Sequence, residues 1–113
     1  MSKINNYLII VSSTILLITF LGCKQNEVEY VIEEEVMVKI LMDIHIAEAA
    51  AQQGVISQRD SLRNLYYNQI FELHSVSKEK YEEDMELLKR DAPRLSNIYD
   101  KVIDQLKERK EKL

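Results

Sequence analysis

The chain has 113 residues, of which 46% are hydrophobic and 30% charged, and its formal net charge is −4. These values are typical of one globular domain, and the negative charge argues against a nucleic-acid-binding protein, which needs a basic face. A single cysteine excludes an intramolecular disulfide and a Cys-rich zinc site, while two glycines and one proline favour helices.

Residues 1–22 have the pattern of a signal peptide. Lys3 precedes an apolar run over residues 7–20, which is too short to cross a membrane comfortably but has the length of a signal-peptide core. The run ends in Phe20-Leu21-Gly22-Cys23, which resembles the lipobox of bacterial lipoprotein signals. That resemblance implies that Cys23 becomes the lipid-bearing first residue, so the covalent lipid on Cys23 is the only prosthetic group expected. An uncleaved anchor or a secreted protein with a free thiol is the alternative.

Residues 23–32 form the predicted tether that follows the lipid anchor. The segment is polar and acidic without a helical period, and no Asp follows Cys23 to suggest retention in the inner membrane. The sequence therefore predicts a lipid-anchored protein of the cell envelope, on the periplasmic face of the outer membrane.

The remaining chain predicts an all-α fold, a small antiparallel bundle of three to four helices over residues 33–106. The helices are expected at residues 33–53, 58–74, 78–90 and 93–110, and the charged tail 107–113 continues the last one. Ser57 and Ser77 are predicted N-caps, Pro93 suits a first turn, and Gly54 suits a left-handed position just past a helix.

Apolar stripes at helical spacing predict the core faces of three helices. The stripes are Leu62, Leu65, Tyr66, Ile70 and Leu73; Tyr81, Met85 and Leu88; and Leu95, Ile98, Tyr99, Val102 and Leu106. The acidic run at residues 82–84 is interpreted as a solvated face.

The helix at residues 33–53 is apolar on two sides. The favoured interpretation is a central helix that the others cover, because a helix that is apolar nearly all round is usually buried. The alternative is an uncovered strip that docks a partner. Its candidate contact residues are Val38, Met42, Ile46, Tyr67 and Phe71.

Asp43, His45 and Glu48 are candidate buried polar residues. Glu48 is expected near an apolar face and would then need a Tyr hydroxyl or an Arg as its partner. A structural role is preferred to a catalytic one, because no nucleophile or second acid is evident nearby. An alternative is a metal protein or enzyme using His45, Glu48 and His74, but the Glu-x-x-His order of di-iron bundles is reversed here. No catalytic or metal-binding residue is therefore assigned.

Two motifs resemble an uncharacterised family of Bacteroidota lipoproteins, a helical domain of unknown function. They are Met37-x-x-Ile40-Leu41-x-Asp43-x-His45-x-x-Glu48-Ala49 and Leu95-x-x-Ile98-Tyr99-x-x-Val102. The family implies no established activity. The expected function is a non-catalytic binding or accessory subunit of an envelope complex with a protein partner, or alternatively a carrier of an apolar ligand.

Overall fold

The computed structural model describes residues 1–19 and 28–113, and within them the fold is all-helical, as predicted. The helices are α1 (Ser2–Thr19), α2 (Glu34–Gln52), α3 (Arg59–Leu73), α4 (Lys78–Leu88) and α5 (Ala92–Glu111), with a 3₁₀ turn at Ile56–Gln58 before α3. The predicted lipidation residue, Cys23, lies outside the described residues, as does much of the predicted tether.

Helix α1 contains most of the apolar run that was assigned to a signal peptide. Its described side chains are exposed, with Tyr7 and Leu8 retaining 72% and 63% of their accessible surface. Among the described residues, no helix combines the length and the hydropathy needed to cross a membrane.

Helix α2 is the centre of the bundle and packs mainly against α3 and α5. In its first half, the apolar residues on both sides of the helix are covered by the rest of the bundle. The buried residues are Met37, Val38, Ile40, Leu41 and Met42. The favoured interpretation of a covered central helix is therefore confirmed over this half.

The helix ends show where local sequence signals decide the structure. The Ser77 hydroxyl accepts a hydrogen bond from the Lys80 N–H at 3.3 Å, which confirms the predicted cap of α4. At the start of α5, the Asp91 carboxylate accepts from the Arg94 N–H at 3.2 Å, and Pro93 occupies the first turn as expected.

Two predictions at the connection between α2 and α3 are wrong. Ser57 is not an N-cap, because it lies inside the 3₁₀ turn and Gln58 precedes α3. Gly54 does not adopt a left-handed conformation; instead, a Cβ placed there would lie 2.9 Å from Leu62 Cδ1. Glycine at this position permits a close approach of the chain to α3.

Candidate functional site

A polar cluster joins α2 to α3 through the carboxylate of Glu48. The Tyr67 hydroxyl donates a hydrogen bond to Glu48 Oε1, and Arg63 Nε lies 2.9 Å from Oε1 and 3.1 Å from Oε2. The sequence predicted a Tyr or an Arg as the partner of Glu48, and the structure supplies both. The carboxylate is half-buried rather than fully buried, with 29% of its side chain exposed.

The same contacts shift the ionisation of both partners. The hydrogen bond from Tyr67, followed by that from Arg63, lowers the pKa of Glu48 against the opposing effect of burial. Burial, followed by the hydrogen bond to Glu48, raises the pKa of Tyr67 to about 12. Glu48 is thus held as an anion and Tyr67 as a neutral donor, an arrangement that fixes packing and supplies no acid near neutral pH.

A second polar contact lies at the other end of α3. His74 Nε2 is 2.7 Å from Asp43 Oδ2, and the two side chains are 14% and 22% exposed. Together with the contacts of Glu48 to Arg63 and Tyr67, this pair shows that α2 and α3 run antiparallel, as predicted from their short connection.

The candidate metal set does not converge. The prediction that His45 is buried is wrong, since its side chain is exposed and packs edge-on against Tyr99, with ring centroids 6.2 Å apart. Within residues 1–19 and 28–113, no three His, Cys, Asp or Glu side chains are placed to hold a metal ion together. His45, Glu48 and His74 are therefore divided between different contacts.

Helix α3 is rotated relative to the prediction from its apolar stripe, although Ile70 of that stripe is buried as predicted, at 7% exposed. Leu65 and Leu73 were expected in the core but are 50% and 73% exposed, while Phe71, which was placed outside the main stripe, is 6% exposed. The physical reason is the pairing of Tyr67 and His74 with the carboxylates of α2. Those contacts turn the face centred on Phe71 inward and the two leucines outward.

The predicted contact strip is accordingly not an exposed surface. Val38 and Met42 on α2 are only 1% and 8% exposed, and Phe71 is buried against them in the same core. Tyr67 is partly buried. Of the five candidate contact residues, only Ile46 is exposed, at 40%.

One open apolar surface of the bundle is a groove beside Ile46. We call it the α2–α3 groove; it has a volume of about 380 Å³. Its lining includes Ile46, Ala47 and Ala50 from α2, Tyr66, Gln69, Ile70 and Leu73 from α3, and the charged residues Asp43 and Arg109. The rotation of α3 creates this groove, because it brings Leu73 to the surface next to Ile46.

Asp84 is the most deeply buried charged residue and was missed by the sequence reading of residues 82–84 as a solvated face. Its side chain has no exposed surface, and it accepts hydrogen bonds from the N–H groups of Val31 and Ile32 at 3.0 and 2.7 Å. The sequence did contain a signal for this burial, because Asp84 lies three residues after Tyr81 and four before Leu88, on the same face of α4. Asp84 thereby binds the chain just before α2 to the middle of α4.

Further contacts hold the same segment to α5. The Tyr30 hydroxyl donates to Asp91 Oδ2 at 3.4 Å, and the Arg94 guanidinium carbon lies 4.1 Å from the centre of the Tyr30 ring. Glu34 pairs with Lys101, and the hydrogen bond from Lys101 lowers the pKa of Glu34. The first residues of the bundle are therefore attached to two helices.

The chain matches the model of one protein family over residues 29–112, and that family is described as a domain of unknown function, DUF4296. The chain belongs to this family. The match confirms the predicted membership of an uncharacterised domain family, and it includes both Tyr30 and the segment that Asp84 binds. No curated protein and no solved structure matches the chain.

Proposed function

We propose that this DUF4296 protein is a lipid-anchored lipoprotein of the Bacteroidota cell envelope and acts as a non-catalytic binding or accessory subunit of an envelope complex. The observation that carries the proposal is the position of the only cysteine. Cys23 directly follows Gly22 at the end of an apolar run, where a lipidation site must lie. Two or more acyl chains suffice to hold a protein stably on a membrane.

The arrangement of the polar residues supports a binding role over catalysis. The carboxylates of Glu48, Asp43 and Asp84 are each engaged in contacts that join one segment of the bundle to another. The α2–α3 groove, in contrast, presents the exposed apolar side chains of Ile46 and Leu73. A concave groove with mostly apolar walls and a few charged residues is the form that binding sites commonly take.

Mass spectrometry of the mature N-terminus tests the anchor. We expect the first residue to be Cys23 carrying a diacylglycerol, with residues 1–22 absent. In membrane fractions separated by density, the protein should accompany the outer membrane, and Cys23→Ala should remain unlipidated. A mature chain that begins elsewhere, or that retains a free thiol, would contradict the anchor.

A crosslinked pull-down in mild detergent tests the accessory role. The tagged full-length protein is recovered from its own membranes beside the Cys23→Ala variant. We expect one reproducible envelope protein, reduced when the anchor is removed, since anchoring raises the local concentration of the domain. Recovery of the protein alone despite efficient crosslinking would contradict an accessory subunit. Native mass spectrometry showing a retained lipid would favour the apolar-ligand carrier instead.

A further inference from the structure

We infer that the α2–α3 groove receives one amphipathic helix of a protein partner, whose apolar face packs on Ile46 and Leu73 and whose carboxylate pairs with Arg109. This inference rests on the proposed function and specifies the surface and the chemistry of the partner. Ile46 is 40% exposed and Leu73 is 73% exposed, although both border a groove with an apolar floor.

The shape of the groove suits a helix. It follows α2 from Asp43 to Ala50, a length of about 10 Å at 1.5 Å per residue, which equals two helical turns. Two antiparallel helices form its sides, and a third helix laid between them anchors through side chains at positions i, i+3 or i+4, and i+7. The groove is also shallow, so an acyl chain in it would leave much of its surface in water.

The charges around the groove select an acidic partner. The carboxylate of Asp43 is already engaged by His74 Nε2 at 2.7 Å. Among the described residues, the Arg109 guanidinium has no carboxylate within salt-bridge distance. Of the residues that line the groove, Arg109 is the basic one. An Asp or Glu beside the apolar face of the partner helix would complete this site.

Photo-crosslinking in the native envelope tests the occupant. A photoreactive residue replaces Gln69, an exposed residue of the groove wall, in the full-length protein; the matched control carries it at Ile103, which is 47% exposed and does not line the groove. We expect Gln69 alone to crosslink to one segment of an envelope protein, with apolar residues at helical spacing and an acidic residue beside them. A crosslink to a second copy of this chain, to lipid, or no excess over Ile103 would overturn the inference.

A synthetic peptide of the crosslinked segment then measures the contacts by fluorescence anisotropy with the full-length protein in detergent. Ile46→Glu and Leu73→Glu should each weaken binding about tenfold or more, because each loses a side chain that binding removes from water. Arg109→Glu should weaken binding about tenfold at low salt and less at high salt. Unchanged affinity in all three variants would refute the groove.

Matched substitutions outside the groove separate these effects from general damage. Ile103→Glu and Lys110→Glu place the same charge at exposed positions of α5 that do not line the groove, so they should bind as the wild type does. The groove variants change exposed side chains, and their helical circular dichroism should be unaltered. If they still capture the envelope partner in the pull-down, the proposed function survives and only the groove assignment fails.

Discussion

Replacing Asp84 by Ala should destabilise the bundle more than any other single change of a charged residue. Its carboxylate accepts from the Val31 and Ile32 N–H groups at 3.0 and 2.7 Å and has no exposed surface. A hydrogen bond to a charged group contributes about 1.5–3 kcal/mol. Loss of both gives an expected cost of about 3–6 kcal/mol, against a total stability of about 5–10 kcal/mol for a domain of this size.

Urea unfolding of the mature chain, followed by circular dichroism, measures this cost. The matched control is Glu83→Ala, since Glu83 is exposed on the same helix and should change stability by no more than about 0.5 kcal/mol. Asp84→Asn keeps one acceptor but directs an NH₂ group at a backbone N–H, so an intermediate loss of about 2 kcal/mol is expected. The reasoning would be refuted if Asp84→Ala and Glu83→Ala unfolded at the same urea concentration. Rapid hydrogen exchange of the Ile32 amide with solvent in the wild type would then show that its hydrogen bond to Asp84 is not formed.

Three further predictions concern α3 and its contacts. Since the Tyr67 pKa rises from 10.0 to about 12 on folding, stability should fall between about pH 10 and 12, and Tyr67→Phe should reduce that fall in urea midpoints measured across this range. Phe71→Ala should cost about 3–5 kcal/mol and Leu73→Ala no more than about 0.5 kcal/mol; equal costs would disprove the observed rotation of α3. Gly54→Ala should lower the thermal midpoint by no more than a few degrees, because the flexible end of Leu62 can shift away from the new Cβ, and a larger loss would contradict this.

The elements that the sequence predicted well depend on short-range signals. The cap of α4 needs only Ser77 and the N–H of Lys80, three residues away. The stripe of α5 is equally local, and its central members Ile98 and Val102 are both 1% exposed. An amphipathic helix with one narrow apolar stripe has one way to face a core, so its pattern is sufficient.

The features that the sequence did not predict arise from contacts between distant residues. Helix α3 has two possible apolar faces, and the choice between Leu73 and Phe71 depends on which one lies beside Asp43 and Glu48 of α2. Asp84 similarly resembles its exposed acidic neighbours until the N–H groups some 50 residues earlier are placed next to it. Part of the candidate polar site was predictable, namely the type of partner for Glu48, because a half-buried carboxylate needs a donor.

The hydrogen bonds from Val31 and Ile32 to Asp84 also limit the number of residues that can separate the domain from the membrane. With the lipid on Cys23 as proposed, eight residues to Val31 reach at most about 27 Å; release of the segment up to Glu34 would extend this to about 37 Å. The α2–α3 groove begins at Asp43, about 14 Å along α2 from Glu34. With the segment released, the groove can therefore lie at most about 51 Å from the lipid headgroups, and it lies nearer while Asp84 holds Val31 and Ile32. Breaking the two hydrogen bonds to Asp84 would let the groove reach a partner farther from the membrane.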